Sequence, residues 1–526
     1  MKKHQLLYLT LIYMILSNTG ISQFQNIVVN ESWRTDLNEP SIAINPSNPD
    51  NLVIGVNNTF CYASFDAGQS WSGRQMYSSY GVWGDPSLVF DSEGNCYFAH
   101  LSGEPPLSGR WGDRIVIQKS TDGGIIWNDG TFTGLNRPKF TDKEWLAVDL
   151  TNSQYHNNLY VAWTEYDRLF DPGIQFKSRE MFSRSTDGGA TWSDPIQLNE
   201  VEGDCLDDDN TIQGATPTIG PNGEIYLAWA GPEGILFDRS FDGGVTFGND
   251  IFVTDHIGGW GWGYEIAGIY GNGLPQTICD LSNSPYRGTV YILWADQRNG
   301  TTNTDIFLIK STDAGDSWSD IVRVNDDETD RAQFYPWMSI DPVTGIMYIV
   351  YYDRRSTLNT LTEVYVARST DGGETFYNFK ISESPFAATS QEFLGDYISI
   401  VAYNGKAYPV WTQSDQFGRS IITTEIDESV LGVQSNNQLG DFKLHQNFPN
   451  PFNPSTIIRY EIPERSMISI KVYDLLGNEI VTLVEEEKQA GVHTVEFDAE
   501  DLSGGLYFYQ LTAGEFSLTN KMILLK

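Results

Sequence analysis

The chain has 526 residues, with 33 Lys and Arg against 69 Asp and Glu, which gives a formal net charge of -36. So acidic a protein repels phosphate-rich partners at long range, which argues against a nucleic acid or an anionic membrane as its partner. The length exceeds what one hydrophobic core usually supports, so we expect two or more domains. Few long helical patterns accompany the 27 Tyr, 27 Phe and 49 Gly residues, and this combination favours an all-β protein.

The N-terminus has the pattern of a secretory signal peptide. Lys2 and Lys3 precede an apolar run at residues 6–16, and small or polar residues follow through Ser22. The apolar run is too short to span a membrane. We therefore assign residues 1–22 to a signal peptide and expect no transmembrane segment after its removal.

Residues 23–426 repeat one pattern of paired strands. Seven apolar or aromatic first runs occur, and each is followed by a similar second run, as expected for strands buried in a stack. The first runs start at Pro40, Asp85, Glu144, Thr216, Pro275, Pro336 and Asp396. Their partners read NLVIGVN, NCYFAHL, NLYVAWT, EIYLAWA, TVYILWA, IMYIVYY and KAYPVWT.

A short phrase, Ser-x-Asp-x-Gly-x-x-aromatic, follows six of these pairs. The six copies begin at Ser64, Ser120, Ser185, Ser240, Ser311 and Ser369. Asp accepts backbone N–H groups in a tight turn, Gly takes positive φ, and the closing Trp or Phe has apolar area to bury. The phrase resembles the Asp box, or bacterial neuraminidase repeat, which implies a turn between the outer strands of a β-propeller blade.

The ends of the repeat predict how the ring closes. The last unit lacks a fourth strand of its own, whereas the run NIVVNES at Asn26–Ser32 resembles the fourth strands of other units. We therefore predict a seven-bladed propeller in which this N-terminal strand completes the last blade, leaving no raw sheet edge. Six blades, as in sialidases, remain the alternative.

The sequence pattern changes after residue 426. Residues 427–441 are polar, rich in Asn and Gln and without periodicity, which indicates a linker. Residues 442–526 have short alternating strands and Gly-containing turns, which predict a small β-sandwich. The run Asn447–Thr456, the Tyr-Asp-Leu-Leu-Gly stretch and the terminal Lys-Met-Ile-Leu-Leu-Lys resemble the type A sorting domain of the type IX secretion system. This resemblance implies export across an outer membrane, to the cell surface or beyond, with the secretion machinery as a partner.

Candidate site residues come from the strand tips on the face opposite the Asp-box turns. Carboxylates, arginines and aromatic rings gathered in one funnel suit a sugar, with carboxylates for acid–base chemistry, rings for stacking and arginine for an anionic substituent. The predicted catalytic set is Asp85, Glu144, Asp296, Asp353, Asp396, Tyr352 and Tyr397. The predicted substrate-binding set is Glu39, Arg298, Arg354, Arg355 and Trp337. The competing interpretation is that charges at strand ends are solvated or cap a neighbouring loop.

No cofactor and no catalytic metal are predicted. The Asp-rich runs at residues 204–209 and 325–330 have a composition that suits structural Ca²⁺, but they match no EF-hand spacing, and solvated loops are favoured. Export permits disulfides. The cysteines specify no pairing and match no zinc site; they are Cys61, Cys96, Cys205 and Cys279.

The propeller resembles sialidase-like proteins in three segments, which in this chain are Glu39–Ala43, Tyr352–Arg355 and Gly395–Tyr397. The resemblance implies a central site. In sialidases this site contains an arginine triad, a Tyr–Glu nucleophile pair and an Asp acid/base. The chain departs from that pattern, because its first inner strand has Glu39-Pro40-Ser41-Ile42 where sialidases carry an arginine. A fold carries over without its activity.

Three hypotheses follow for the function. The first is a secreted glycoside hydrolase acting on an extracellular glycan or glycoprotein through an acidic and aromatic pocket. The second is a non-catalytic propeller that binds a glycan or a protein. The third is a polysaccharide lyase, for which His100 would serve as the base and Arg354 as the neutralising cation.

Overall fold

The computed structural model describes residues 24–526 except 32–36, 58, 104–111, 259–260, 267–268, 358–359, 389–393, 416–417, 436–441, 448, 463–464, 476, 489–490, 500–501 and 515. The signal peptide predicted at residues 1–22 lies outside the described residues. The chain divides into two compact units, Met1–Ile426 and Asp427–Lys526. Both units are built almost entirely of strands, so the predicted all-β architecture is confirmed.

The first unit contains short antiparallel strands throughout its length. Strands β1 to β13 are Ile27–Val28, Ser41–Ile44, Leu52–Val56, Phe60–Ser64, Ser72–Gln75, Gly84–Phe90, Cys96–Ser102, Arg114–Ser120, Thr131–Thr133, Phe140–Val148, Leu159–Tyr166, Ser178–Ser185 and Ile196–Gln197. Strands β14 to β23 are Thr218–Ile219, Ile225–Gly231, Gly234–Ser240, Ile251–Thr254, Gly261–Ile266, Ile269–Gly271, Gln276–Cys279, Val290–Asp296, Asp305–Ser311 and Val322–Arg323. Strands β24 to β32 are Gln333–Ile340, Met347–Asp353, Leu361–Ser369, Tyr377–Lys380, Phe386–Ala387, Ser399–Tyr403, Lys406–Asp415, Gly418–Thr423 and Ile426–Asp427.

These strands form a propeller. Among the described residues, seven sheets each have four strands in sequence from an inner to an outer strand, and the seventh runs β29-β30-β31-β1. The inner strands β2, β6, β10, β14, β20, β24 and β29 neighbour one another in that order, and β29 also lies beside β2. The ring of inner strands is therefore closed around a central axis.

The second strand of each sheet forms the densest part of the core. The side chains of β3, β7, β11, β15, β21 and β25 are buried along their whole length. A tryptophan recurs at one position of four second strands and is fully buried each time, at Trp163, Trp229, Trp294 and Trp411. Trp163, Trp229 and Trp294 pack between sheets, since they belong to hydrophobic clusters that join neighbouring sheets.

The six Ser-x-Asp-x-Gly turns share one hydrogen-bond pattern. In the turn at Ser240, the serine Oγ donates to Asp242 Oδ1 at 2.8 Å and accepts the Gly244 N–H at 2.9 Å. Asp242 Oδ1 also accepts the Thr246 N–H at 2.9 Å. The serine–aspartate bond has the same length within 0.1 Å in the other five turns. These turns connect the third strand to the fourth, at the end of the sheets opposite the entrance to the inner strands.

The N-terminal strand completes the last sheet, as the sequence predicts. Ile27 lies opposite Thr423, and Val28 lies opposite Ile422. The side chain of Asn30 reinforces this closure, because its Oδ1 accepts the buried N–H of Ile421 at 2.7 Å. The first and last strands of the propeller are thereby joined in one sheet.

The second unit begins with helix α1, Glu428–Ser435, in the stretch predicted as a linker, and continues with strands. Strands β33 to β39 are Lys443–Leu444, Ser455–Ile462, Ser466–Tyr473, Glu479–Lys488, Gly491–Asp498, Gly505–Ala513 and Phe516–Leu524. They form the sheets β33-β34-β37 and β36-β35-β38-β39. A common core between the two sheets includes Ile458, Ile470 and Tyr509, which is the arrangement of a small β-sandwich.

Replacement of Asn30 by alanine tests the ring closure. Asn30→Ala leaves the buried Ile421 N–H without its acceptor, and we expect a loss of about 1–3 kcal/mol in the free energy of unfolding. The measurement is urea unfolding followed by tryptophan fluorescence, because all 15 tryptophans precede residue 427. Val28→Ala on the same strand is the control, since Val28 is exposed and its loss should cost less than about 0.5 kcal/mol. Equal effects of the two substitutions would contradict the closing role of Asn30.

Candidate functional site

The entrances to the inner strands share a strained backbone position. Four non-glycine residues there have left-handed φ, namely Glu39 at 52°, Asp85 at 54°, Lys143 at 52° and Tyr335 at 52°. Gly214 and Gly395 hold the same position in two further sheets, with φ of 92° and 88°. Left-handed φ costs a non-glycine residue roughly 1–3 kcal/mol and concentrates at functional sites. The repetition therefore marks this end of the ring as the place to seek a site.

A β-bulge follows three of these entrances and directs side chains toward the axis. The register shifts before Ser87, Trp145 and Trp337. Bulges commonly re-aim side chains next to active sites. Here Trp145 and Trp337 line a central cavity of about 210 Å³ to which every inner strand contributes.

An acidic cluster around Lys143 occupies the mouth of the ring. The Lys143 ammonium forms a close ion pair with Asp396, and its Nζ lies 3.8 Å from Asp85 Oδ2. The backbone N–H of Asp396 donates to Glu39 Oε1 at 3.2 Å, and that of Asp85 donates to Asn57 Oδ1 at 2.6 Å. Residues from four different sheets thus meet at one point.

Burial and mutual repulsion govern protonation in this cluster. Burial, followed by the negative charges of Asp396 and Asp85, raises the pKa of Glu39 well above its usual value. Burial and the charge of Asp85 do the same to the pKa of Asp142. Burial alone would lower the pKa of Lys143, but the surrounding carboxylates, Asp396 first, raise it well above its usual value. These shifts favour the charged form of the Lys143 ammonium and the protonated forms of Glu39 and Asp142.

Glu144 is the strongest candidate for a proton donor. Its side chain is buried, and neither carboxyl oxygen has a hydrogen-bond partner in another described residue. Burial and then the charge of Asp85 raise its pKa well above the usual value for glutamate. A carboxylic acid kept neutral beside ionised carboxylates is the arrangement used for general acid catalysis.

Aromatic rings cover one side of the cluster. The ring centroids of Trp145 and Trp337 are 4.4 Å apart, and those of Trp145 and Tyr397 are 5.2 Å apart in an edge-on arrangement. The Lys143 ammonium lies 5.7 Å from the centroid of Tyr397. Lys143, Asp396 and these three rings border a cavity of about 30 Å³. That volume holds a water molecule or a single small polar group of a ligand.

The structure thus brings together six of the sequence-predicted residues and places the other six elsewhere. The gathered residues are Glu39, Asp85, Glu144, Trp337, Asp396 and Tyr397, and the others are Asp296, Arg298, Tyr352, Asp353, Arg354 and Arg355. Asp396 Oδ1 and the Tyr397 hydroxyl are buried without a hydrogen-bond partner among the described residues. Both groups are therefore available to a ligand.

The second-strand tips form local ion pairs instead. Arg298 binds Asp296 at 2.6 Å, and its guanidinium stacks over Trp294. Arg355 binds Asp353 at 2.7 Å in the equivalent position of the next sheet. Burial raises the pKa of Asp353 to about 6. In both sheets an aspartate that ends the strand holds the arginine two residues later.

Tyr352 and Arg354 are also engaged within the fold. The Tyr352 hydroxyl donates to Thr412 O at 2.6 Å and accepts the Thr412 N–H at 3.1 Å. Arg354 is buried and donates to Thr362 Oγ1 and Ala388 O at 3.1 and 3.0 Å. Burial lowers the pKa of Arg354 to about 10. These contacts connect neighbouring strands and sheets.

Sequence reasoning missed Lys143, Asp142, Trp145 and Tyr335. A signal for Lys143 and Tyr335 was present, since each directly precedes its first run, as Glu39 does. The positive φ that unites the four positions is a property of the backbone. Because Glu, Asp, Lys and Tyr all occur at this position, no single residue type identifies it in the sequence.

The described part of the chain contains no group of three or more His, Cys, Asp or Glu side chains that could hold a metal ion. Within the same part, no helix is long and apolar enough to cross a membrane. All four cysteines are buried and free. Burial lowers the pKa of His100 to about 4, and its Nδ1 lies 2.9 Å from Leu101 O.

Comparison with known families identifies the C-terminal unit. Residues 446–525 match the family described as the secretion system C-terminal sorting domain. The C-terminal unit is a sorting domain of this kind. The protein is therefore exported by the type IX secretion system to the cell surface or the extracellular space.

Comparison with solved structures finds similar folds for the propeller. A Hadza microbial sialidase aligns at 14% identity and a TM-score of 0.39, covering 72% of this chain and 73% of its own. The α-L-arabinofuranosidase of Fusarium graminearum aligns at 10% identity and a TM-score of 0.42, covering 78% and 98%. The sialidase of Trypanosoma rangeli aligns at 10% identity and a TM-score of 0.40, covering 86% and 85%. The comparison with curated protein sequences gave no match.

Removal of the Lys143 charge should destabilise the propeller. Lys143→Met leaves the buried carboxylates of Asp396 and Asp85 without their cation, and breaking a buried pair in this way costs about 3–5 kcal/mol. The loss should be smaller near pH 4.5, because burial raises the pKa of Asp85 and this carboxylate is more readily protonated as the pH falls. Urea unfolding at pH 7.5 and 4.5 measures both effects.

Lys380→Met provides the comparison for Lys143→Met. Lys380 is 42% exposed and pairs with Glu363 at 3.0 Å, so its removal should cost at most about 1 kcal/mol. A loss for Lys143→Met that matches this control at pH 7.5 would contradict the central role of the Lys143 charge.

Glu144 should make the propeller less stable as the pH rises. Because its folded-state pKa is raised, its contribution to stability is complete below the unfolded pKa of about 4.3 and is lost as the pH rises toward the folded value. Glu144→Gln should therefore flatten the decline in unfolding free energy between pH 5 and 8. The exposed Glu328→Gln should retain the wild-type decline. An unchanged slope in Glu144→Gln would show that Glu144 is not a buried neutral acid.

Proposed function

We propose that this exported protein is a glycoside hydrolase that acts on extracellular glycans at the acidic cluster around Lys143. The observation that carries the proposal is the contrast between Glu144 and its neighbours. Glu144 is a buried acid with two unpartnered oxygens, and Asp396 keeps one oxygen on the Lys143 ammonium and the other without a partner. A neutral acid beside a carboxylate is the pair that glycosidic bond cleavage requires.

The residues divide the work between them. Glu144 protonates the glycosidic oxygen as the bond to the leaving sugar breaks. Asp396 then supplies the carboxylate that attacks the anomeric carbon or activates water for that attack, and Lys143 stabilises its charged form. Trp337 and Tyr397 provide surfaces for the apolar faces of the sugar rings. Burial and the charge of Asp85, with a smaller effect of Asp142, keep Glu144 protonated.

Electrostatics favour a neutral sugar over a sialic acid. The cluster gathers the carboxyl groups of Glu39, Asp85, Asp142, Glu144 and Asp396 around the Lys143 ammonium. An anionic sugar would be repelled by the ionised members. The three arginines predicted to bind a substrate carboxylate have other partners: Arg298 has Asp296, Arg355 has Asp353, and Arg354 has Thr362 and Ala388. The same engagement of Arg354 disfavours a lyase.

A non-catalytic glycan-binding propeller is the second candidate. The cavity of about 30 Å³ beside Lys143 favours it, because ligand pockets that enclose a substrate usually exceed about 300 Å³. In this case the exposed rim would hold a glycan without cleaving it.

Hydrolysis of a glycan panel by the full mature protein tests the proposal. Neutral oligosaccharides, including arabinose- and galactose-based ones, and sialyllactose are incubated with the protein, and products are detected by mass spectrometry. We expect cleavage of a neutral substrate, with a loss of about 10²–10⁴-fold in kcat for Glu144→Gln and a comparable loss for Asp396→Asn. The exposed Glu328→Gln should retain full activity.

Three outcomes separate the candidates. Cleavage that survives both substitutions would disprove the assigned residues. Saturable binding on a glycan array without any product would favour the second candidate. Preferential cleavage of sialyllactose would contradict the electrostatic argument.

A further inference from the structure

The residue after the Asp-box aromatic has the same structural role in three of the six turns. In three turns its side chain accepts the N–H of the residue that precedes the serine of the box. Asn128 Oδ1 accepts from Lys119 at 2.8 Å, Ser193 Oγ accepts from Arg184 at 3.1 Å, and Ser319 Oγ accepts from Lys310 at 3.2 Å. The side chain at this position therefore fills the space beside the third strand.

The fourth sheet departs from this pattern because Gly248 has no side chain to offer. Asp238, which is fully buried, takes over the task from the third strand. Its Oδ1 accepts the N–H groups of Arg239 at 2.6 Å and of Gly248 at 3.0 Å. Its Oδ2 is buried and has no hydrogen-bond partner among the described residues. In this turn Asp238 Oδ2 is therefore left without a hydrogen bond from the described residues, at a place where Asn128, Ser193 and Ser319 supply a side chain in the other three turns.

A cavity of about 400 Å³ opens at this place. Its lining includes Asp238 and Gly248, with the rings of Phe241 and Phe247 as apolar walls. The cavity lies at the Asp-box end of the sheets, opposite the acidic cluster around Lys143. Its volume falls in the range of about 300–1,000 Å³ that small-molecule sites occupy.

The charges around the cavity favour a cation. Burial raises the pKa of Asp238 to about 6, with a further rise from Glu200, so the group is mainly ionised at pH 8. Asp242 adds a second carboxylate, whose hydrogen bonds with Thr246 help to hold its pKa at about 2 against the effect of burial. The opposing charge of Arg239 is already paired with Asp316 at 2.5 Å.

We propose that this cavity binds a primary ammonium group carried on a small organic stem. The ammonium donates to Asp238 Oδ2, and the stem lies against Phe241 and Phe247. An organic cation is favoured over a metal ion because the described residues hold no cluster of three metal-ligating side chains here. An amino sugar and a lysine side chain share this chemistry.

Calorimetric titration of the full mature protein at pH 8 tests the site. The probes are glucosamine and Nα-acetyl-lysine methylamide, and their neutral counterparts are N-acetylglucosamine and Nα-acetyl-norleucine methylamide. We expect one ammonium probe or both to bind with a stoichiometry of one, and the neutral counterparts to bind at least tenfold more weakly. The probe that binds more tightly identifies the sugar or the peptide as the source.

Two substitutions locate the binding. Gly248→Ser introduces the residue found after the third and fifth boxes and places a Cβ 3.0 Å from Asp238 Oδ1, so its side chain should occupy the space beside Asp238 and weaken binding at least tenfold. Asp238→Asn keeps the shape and removes the charge, and it should weaken binding at least tenfold. Ser319→Asn, at the same position of another sheet, should bind as the wild type does.

The contrary results are equally defined. Absence of binding by both ammonium probes overturns the proposal, as does equal binding of the neutral counterparts. Wild-type affinity in folded Gly248→Ser, or in Asp238→Asn should the serine variant fail to fold, would also overturn it. Far-ultraviolet circular dichroism and thermal unfolding establish which variants are folded.

Discussion

The ammonium of Lys143 is the charge on which the mouth of the propeller depends. It holds Asp85 and Asp396, which come from the second and seventh sheets, while Lys143 itself belongs to the third. Without that cation, carboxylates from separate sheets would repel one another in a setting with little water. The two ion pairs of Lys143 therefore connect three sheets, while burial and the charge of Asp85 raise the pKa of the neighbouring Glu144.

The left-handed backbone position before the inner strands carries side chains of different chemistry around the ring. The left-handed position before the inner strand holds a carboxyl group in Glu39 and Asp85, an ammonium group in Lys143 and an aromatic ring in Tyr335. Where it holds Gly395, the missing side chain lets Glu39 approach, since a Cβ there would lie 2.3 Å from Glu39 Cγ. The fold repeats the backbone geometry, and the side chain at each position determines the chemistry there. The Asp-box turns follow the same logic at the other end, where Gly248 leaves open what Asn128 and Ser319 fill.

The sequence predicted the fold well because repeated local signals determine it. Apolar runs, Asp-box turns and the stray strand near Asn26 each depend on neighbouring residues or on a period that can be read directly. The C-terminal sandwich was equally readable from alternation and Gly-containing turns. The stretch after Ile426 was not, because its first residues form a helix, Glu428–Ser435, with little periodic pattern.

The site was predictable only in part. Residues that start inner strands, such as Asp85 and Asp396, converge because all inner strands begin around one axis. Residues that end second strands, such as Asp296 and Asp353, were expected there too. Each instead holds an arginine two positions further along, and that short-range pairing depends on how the chain turns after the strand. Lys143 was overlooked because a lysine among apolar and acidic residues resembles an ordinary surface charge.

The strand shared by the two ends of the propeller has a consequence for the order of assembly. Ile27 and Thr423 are partners although nearly the whole propeller separates them along the chain. Such a contact forms late, because a very long loop must close before it gains anything. Until the residues around Thr423 are available, the N-terminal strand has no partner. The ring therefore stays open, and the propeller unfolds more easily, until that pairing forms.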